Sequence, residues 1–526
     1  MILGHPANAG GSVNINPALA VSGNSSNFGG RAAVRYCGGD LTHHELEDRS
    51  ARLAAVLIDR GVGEGDRVAY LGLNSPALLI TMLASFRIGA LFVPINFRLA
   101  GSELEGVFEN SGAGTLVCEA GHRMSVDAVR ERTTLKTLLL IDNDPAVAPD
   151  APVPGWLRWS RALAEASPSA GVYHARFDDP AILMYTSGTT GFPKGVVLTY
   201  GNLWWNSVNV DSRIDTRRQD VTYATAPLFH IGALNSFVLR TLVRGGTVVL
   251  RRKFDAEQFR DDLVDYQINS VFAVPSMLAA LSRVPDIFSV DLPALHTIVV
   301  AAAPVAPSLI HLFADHGIYL QQAWGLTETA PFATHLPVEQ TRLKAGSAGL
   351  AMPHTQVRVV DRVTNEPVAA GVPGEVVVRG PNVTPGYWRN PKATVEAFDD
   401  EGWFHSGDIG YLDADGYLYI VDRLKDLIIS GGENVYPAEV ERILAGMPGV
   451  ADVAVVGVPD ATWGETVAAV VSVASGAQLT LHEVREYASA NLARYKLPTQ
   501  LHFVDSVPRN PSGKILKADI RNSLKI

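Results

Sequence analysis

An α/β fold with largely parallel sheets, followed by a smaller α+β lobe, is the architecture this sequence predicts, and three observations predict it. Apolar runs of strand length alternate with helix-length segments through most of the chain, which is the pattern of sheets layered with helices. At 526 residues the chain is too long for one core. Near residue 422 an apolar strand, Tyr417-Leu-Tyr-Ile-Val421, runs into the charged stretch Asp422-Arg-Leu-Lys-Asp426, leaving a remainder of a size that folds as a small domain.

Taken in order, Thr42-His-His-Glu45 is a capping box that opens an amphipathic helix closed near Gly61. Arg67 to Leu73 reads as a strand. Asn74-Ser-Pro76 starts the next helix, which ends at Gly89, and Leu91 to Ile95 is the strand after it. Ala181 to Met184, Thr247 to Leu250, Ser270 to Val274 and Thr297 to Val300 continue the alternation. Beyond the boundary, Pro437 opens a helix with Glu439 and Glu441 in its first turn and Gly446 and Pro448 at its end, and Val450 to Val458 reads as a strand. The expected division is a large N-terminal domain of mixed and parallel sheets over 1–422 and a small mobile C-terminal α+β domain over 423–526. Neither an internal repeat nor a low-complexity linker interrupts it.

Composition narrows the function. With 47% apolar and 19% charged residues the chain is ordinary globular material, and its net charge of −10 disfavours nucleic acid and anionic membrane as general partners. Cys37 and Cys118 are too few for a disulfide framework and read as packing residues of a protein in a reducing cytoplasm. The most apolar windows are broken by Arg87 or by Pro304 and Pro307, so no membrane span is expected. No basic leader precedes an apolar run, and the terminal Ser-Leu-Lys-Ile is not a peroxisomal signal.

The most informative segment is Tyr185-Thr-Ser-Gly-Thr-Thr-Gly-Phe-Pro-Lys-Gly195, placed directly after a strand. Glycines such as Gly188 let backbone N–H groups close on an anion. The hydroxyls of Thr186, Ser187, Thr189 and Thr190 donate further hydrogen bonds, and Lys194 supplies charge against a polyphosphate. The P-loop pattern requires Gly-Lys followed by Ser or Thr, whereas Lys194 stands between Pro193 and Gly195. The segment resembles the signature of the adenylate-forming superfamily, which comprises acyl-CoA synthetases, non-ribosomal peptide adenylation domains and luciferases.

Further motifs resemble that superfamily in family order. Gln322-Ala-Trp-Gly-Leu-Thr-Glu328 is similar to its aromatic-Gly-x-Thr-Glu motif. The resemblance implies that Ala323, Trp324 and Gly325 line the adenine site, with Trp324 stacked on the base, that Thr327 contacts phosphate, and that Glu328 is the metal ligand for Mg²⁺. Trp403-Phe-His-Ser-Gly-Asp408 and Arg423 match the pair that meets the ribose hydroxyls, where a carboxylate suits a vicinal diol because it accepts both O–H donors. Where the family carries Gly-Gly-Ala-Pro, this chain has Ala301-Ala302-Ala303-Pro304, adding two methyl groups beside the nucleotide.

Lys425 matches the family's interdomain hinge. Gly431 and Gly432 match backbone that runs beside the pantetheine arm, and Trp463 the contact to the CoA nucleotide, although from the residues alone Trp463 reads equally as a core tryptophan. Pro508-Arg-Asn-Pro-Ser-Gly-Lys514 resembles the closing motif, whose lysine, here Lys514, would bridge the substrate carboxylate and the α-phosphate. Pro227-Leu-Phe-His-Ile-Gly-Ala-Leu234 resembles the segment whose histidine, here His230, lies between acyl pocket and thiol tunnel; a satisfied core histidine is the alternative. Family positions lining the acyl pocket fall on Gly232, Ala233, Ala323, Ala330 and Pro331, with no charged residue among them, which disfavours an amino acid.

These motifs imply an ATP-dependent acid–thiol ligase, an acyl-CoA synthetase with Mg²⁺ as cofactor and ATP and CoA as co-substrates. A medium- or long-chain fatty acid is the expected substrate and an aryl acid the runner-up. Alternatives left open are a stand-alone adenylating enzyme that loads a separate carrier protein, an enzyme for an unusual acid, a nucleotide-binding pseudoenzyme and a homodimeric state.

Overall fold

The helix and strand signals named above from Thr42 to Ile95 correspond to built elements. In the computed structural model, which describes residues 13–99, 101–146, 152–186, 193–423, 426–430, 433–460, 463–490, 492, 494–509 and 515–524, the Thr42 hydroxyl accepts from Glu45 N–H while Glu45 reaches back to Thr42 N–H. This capping box opens helix His43–Asp59. Strand Arg67–Leu71 follows, then helix Pro76–Arg87 and strand Leu91–Ile95. Helix Pro76–Arg87 is buried on every side from Ala77 onward, as an all-round apolar helix must be. Its one charge, Arg87, pairs with Glu47 at 2.9 Å.

Two sheets organise the N-terminal part. The first has seven strands, in the order Leu157–Arg158, Thr137–Ile141, Thr115–Glu119, Arg67–Leu71, Leu91–Ile95, Pro180–Thr186 and Lys194–Thr199, parallel except for the final pair. The second has nine. Its centre runs Leu320–Gly325, Thr297–Val300, Ser270–Ala273, Val221–Ala224, Thr247–Leu250 and Ala32–Tyr36, all parallel, and antiparallel strands close both edges. One large apolar cluster, containing Phe86, Phe92, Tyr200, Phe237 and Phe332, fills the space shared by these elements.

A buried polar seam joins the two sheets. Arg252, just past strand Thr247–Leu250, donates to both oxygens of Glu119 at 3.0 and 2.9 Å and to the Tyr36 hydroxyl at 3.1 Å, and that hydroxyl donates to Asp144 at 2.9 Å. Such a network is costly if half-satisfied and specific when complete.

A four-stranded antiparallel sheet, Gln356–Val360, Gly374–Arg379, Phe404–Leu412 and Leu418–Arg423, comes next along the chain. The smaller C-terminal domain has a five-stranded sheet built around Val450–Asp460 and Gly464–Val473, with helices Pro437–Leu444 and Leu481–Ser489 against it. The fold is therefore the expected large α/β domain with a smaller α+β companion. One expectation changes: Cys118 is buried as a packing residue, but Cys37 is exposed and sits with φ 50° in the turn between Ala32–Tyr36 and Gly39–Thr42, so it makes the turn and fills no core. No helix among the described residues is long and apolar enough to cross a membrane.

Candidate functional site

The glycine- and hydroxyl-rich loop leaves strand Pro180–Thr186 and returns as strand Lys194–Thr199, with Thr186 and Lys194 facing each other across the antiparallel pair. Ser187, Gly188, Thr189 and Thr190 lie outside the described residues. The loop stands at the carboxyl end of a strand in an open sheet, where α/β folds bind ligands. Lys194 points its ammonium at the Tyr387 ring, 5.0 Å from the centroid.

Tyr387 was not singled out by any motif. Its hydroxyl donates to Glu328 Oε1 at 2.9 Å. Its backbone neighbours hold the same two places together: Thr384 N–H donates to the Glu328 carbonyl at 2.7 Å and Trp388 N–H to the Gly195 carbonyl at 2.7 Å. The segment 384–388 thus ties the start of strand Lys194–Thr199 to the short turn Thr327–Thr329. Gly386, at φ 143°, has Thr394 packed against it, and nothing in the sequence beside Tyr387 marks its partners.

The aromatic-Gly-x-Thr-Glu motif occupies the end of strand Leu320–Gly325 and that turn. Gly325 is obligatory for a steric reason. A Cβ there would overlap the Pro331 carbonyl oxygen, to which Leu326 N–H donates at 3.1 Å. Ala330 adopts φ 63° and its peptide bond to Pro331 is cis. Trp324 is only 8% exposed, and its indole N–H donates to Asp408 Oδ2 at 2.8 Å. The expected adenine and ribose groups are therefore in direct contact. Asp408 is the backbone register partner of Arg423 in strands Phe404–Leu412 and Leu418–Arg423.

Ala302 takes φ 76°, the left-handed region that favours glycine, and its side chain is exposed. Its methyl group therefore lies in open space rather than against the core, with Ala303 half-buried and Pro304 exposed beside it.

His230 stands at the start of a short helical segment, Ile231–Ala233, that continues as a π-helix over Leu234–Val238, a distortion that collects at functional sites. Asn74 fixes the approach: it accepts from Leu228 N–H at 2.9 Å and donates to the Ala226 and Arg251 carbonyls at 2.9 and 3.0 Å. His230 Nε2 is buried without a hydrogen-bond partner. Burial first, and the nearby Arg98 guanidinium second, push its pKa down to about 4, so the ring is neutral at pH 7.

Around it the walls are aromatic. Phe229 packs on His230 with centroids 4.3 Å apart and on Phe97 at 5.4 Å, edge to face. Gly232 leaves room for Phe272, whose ring would stand 2.9 Å from any Cβ added there. Ala233, Ala323 and Ala330 are buried, and Asn235 donates to the Ala330 carbonyl at 2.6 Å, joining the helical segment to the turn after Glu328.

Lys425, Gly431, Gly432 and Lys514 lie outside the described residues. Trp463 is 57% exposed, with its backbone N–H donating to Asp460 Oδ1 at 2.9 Å; of the two readings open for it, the core tryptophan falls away. Among the described residues no group of three His, Cys, Asp or Glu side chains could hold a metal alone.

Comparison with known proteins identifies the family. The model of the AMP-binding enzyme family matches residues 22–388, and that of the AMP-binding enzyme C-terminal domain matches residues 439–514. The chain is 44% identical to a feruloyl-CoA synthase of Amycolatopsis sp over 93% of its own length and 95% of that protein. It is 38% identical to a long-chain-fatty-acid–CoA ligase of Mycobacterium tuberculosis over 91% and 92% respectively. Among solved structures, ATP-bound MatB from Rhodopseudomonas palustris superposes with a TM-score of 0.88 at 30% identity, covering 98% of this chain and 99% of that one.

Proposed function

Because the chain belongs to the AMP-binding enzyme family, in the acid–CoA ligase branch of the adenylate-forming enzymes, we propose that it is an acyl-CoA synthetase whose substrate is an aryl carboxylic acid. The observation that carries the nucleotide half of this reading is two linked pairs on adjoining elements. Lys194 meets the Tyr387 ring and Tyr387 meets Glu328, while Trp324, on the strand that leads into the turn holding Glu328, meets Asp408. The first pair supplies groups for phosphate and metal and the second groups for base and ribose, the set one bound nucleotide needs.

In the first step a carboxylate oxygen attacks the α-phosphorus of ATP, the bond to the bridging oxygen breaks and pyrophosphate leaves. Lys194 and the donors of the loop over 186–190 hold the polyphosphate, and Lys514 brings the two anions within bonding distance. Glu328 would be the carboxylate that holds Mg²⁺. A single protein carboxylate, with no three-ligand cluster among the described residues, fits a hard cation that keeps its phosphate and water ligands, and when bound it supplies charge neutralisation at the phosphates.

In the second step a thiol sulfur attacks the acyl carbon and AMP leaves. Gly431, Gly432 and Trp463 serve the CoA arm and nucleotide. The turn from one step to the other is a rotation about Lys425 of a domain that begins at 423. His230, held neutral, lets a thiol approach without meeting a positive charge.

The acid class follows from the walls of the pocket. Phe272 against Gly232, and Phe229 against Phe97 and His230, offer ring faces and edges to a flat substrate. This favours an aryl acid over the fatty acid that small apolar positions alone suggest, and the 44% identical relative is a feruloyl-CoA synthase. The test is incubation with ATP, Mg²⁺ and CoA against a panel of aryl and fatty acids, read by mass spectrometry of acyl-adenylate and thioester. Thioester from aryl acids supports the reading. Thioester from fatty acids alone overturns the acid class, and adenylate without thioester transfers the acceptor role to a carrier protein.

A further inference from the structure

Lys194 and Glu328 carry opposite charges and are directed at one polyphosphate, yet they do not neutralise each other. Between them stands Tyr387. We propose that Tyr387 is a positioning residue that holds the phosphate-directed lysine and the metal-directed carboxylate in separate, ligand-ready places, an inference that rests on the nucleotide reading above.

The geometry separates two contacts on one side chain. The ring takes the ammonium at 5.0 Å from its centroid, and the hydroxyl takes Glu328 Oε1 at 2.9 Å. Among the described residues the Tyr387 ring, and no carboxylate, is the partner of Lys194. A lysine and a glutamate that close directly on each other form a pair an incoming nucleotide must break. A ring face is a weaker partner for a cation than a phosphate is. The lysine is therefore oriented without being occupied.

The phenol O–H is the donor and the Glu328 carboxylate the acceptor in this contact. The backbone fixes it as firmly as the side chain does. Val196 and Tyr387 form an antiparallel bridge, Tyr387 N–H donates to Thr394 Oγ1 at 3.0 Å, and Thr384 N–H holds the Glu328 carbonyl. A displacement of Glu328 and one of Lys194 are thus the same displacement.

Two substitutions separate the contacts. Tyr387→Phe keeps the ring and removes the hydroxyl; Tyr387→Leu removes both. Binding of ATP to the full chain is measured by isothermal titration calorimetry, first without metal and then across a Mg²⁺ series. For Tyr387→Phe the Mg²⁺ concentration giving half-maximal tightening rises about tenfold, the loss of one hydrogen bond to a charged group, while metal-free ATP affinity is unchanged. For Tyr387→Leu the metal-free affinity also falls, about fivefold, the loss of an exposed-to-half-buried cation–ring contact.

The KM of the acid and the rate of thioester formation from preformed acyl-adenylate stay as in the unaltered chain for both. Binding by Tyr387→Phe that matches the unaltered chain at every Mg²⁺ concentration overturns the proposal. So does parallel loss of acid and nucleotide affinity with a lowered unfolding midpoint, which marks a purely structural tyrosine. If Tyr387→Leu does not fold, Tyr387→Phe alone decides. Failure of the unaltered chain to bind ATP at all refutes the nucleotide reading, and this inference with it, and is a different result from either.

Discussion

His335 should make this protein sensitive to mild acid. It lies on strand Phe332–His335, is fully buried, gives Nε2 to Gln321 Oε1 at 3.0 Å and leaves Nδ1 with no partner. Burial is the main cause that pushes its pKa down from 6.5 to about 3, with the Arg213 charge adding to it. A depressed histidine works as follows. Above pH 6.5 neither the folded nor the unfolded chain binds the proton, and below it the unfolded chain takes it up while the folded one does not. Stability is therefore complete at pH 7 and falls with pH, at about 1.4 kcal/mol per unit, or about 2 kcal/mol by pH 5. His230, with its pKa near 4, loses a similar amount over the same window, so the two together account for about 4 kcal/mol. The perturbation is His335→Gln, which keeps an amide donor for Gln321 and cannot titrate. The assay is urea unfolding followed by tryptophan fluorescence at pH 7 and pH 5. The substituted protein is weaker at pH 7 through altered packing, but its loss between the two pH values is about 2 kcal/mol smaller than that of the unaltered chain. An equal loss in both refutes the reasoning.

Gly325→Ala should be severely damaging, because a Cβ at 1.8 Å from the Pro331 carbonyl oxygen meets backbone on the far side; we expect loss of at least about 3 kcal/mol of stability or of all adenylation, and an active protein with a normal unfolding midpoint would contradict this. Ala302→Gly relieves a left-handed alanine at φ 76°, worth about 1–2 kcal/mol, against about 0.4–1 kcal/mol of added chain entropy, so its unfolding midpoint should hold steady or rise slightly, and a clear fall would show that the methyl group packs. Trp463→Ala removes a 57% exposed ring and should leave stability within about 0.5 kcal/mol while raising the KM for CoA at least about fivefold, as loss of one stacked base requires; an unchanged KM would remove Trp463 from the CoA site.

Much of this was readable in advance, and the reasons differ by element. The Thr42 capping box and the Pro76 and Pro437 helix starts are local chemistry, decided within a turn of the chain, and they stand where the residues indicate. Lys194, Glu328, Asp408 and Arg423 could be singled out as candidates because each sits in a short stretch of unusual composition. Tyr387 was not, because its meaning comes from partners far away in sequence, and a tyrosine after a glycine carries no local mark of them. The seam of Arg252, Glu119, Asp144 and Tyr36 was hidden for the same reason: charged residues in a sequence look like surface until their partners are known. The packing of Phe272 on Gly232 could not be read in advance, because the two residues lie on separate elements, strand Ser270–Ala273 and the helical segment Ile231–Ala233.

The hydrogen bond from Trp324 to Asp408 has one end on the nine-stranded sheet and the other on the four-stranded sheet. In the site we propose, a nucleoside lodged against both side chains would work as a rivet through two plates: it would be gripped only when they are aligned, and its grip would keep them aligned. Affinity and heat resistance are then one quantity seen from two sides, so that ATP or AMP at a hundred times its Kd adds about 2.7 kcal/mol to the resistance of that joint. Substitutions deep in either sheet, nowhere near the ligand, will be felt first as weakened nucleotide binding.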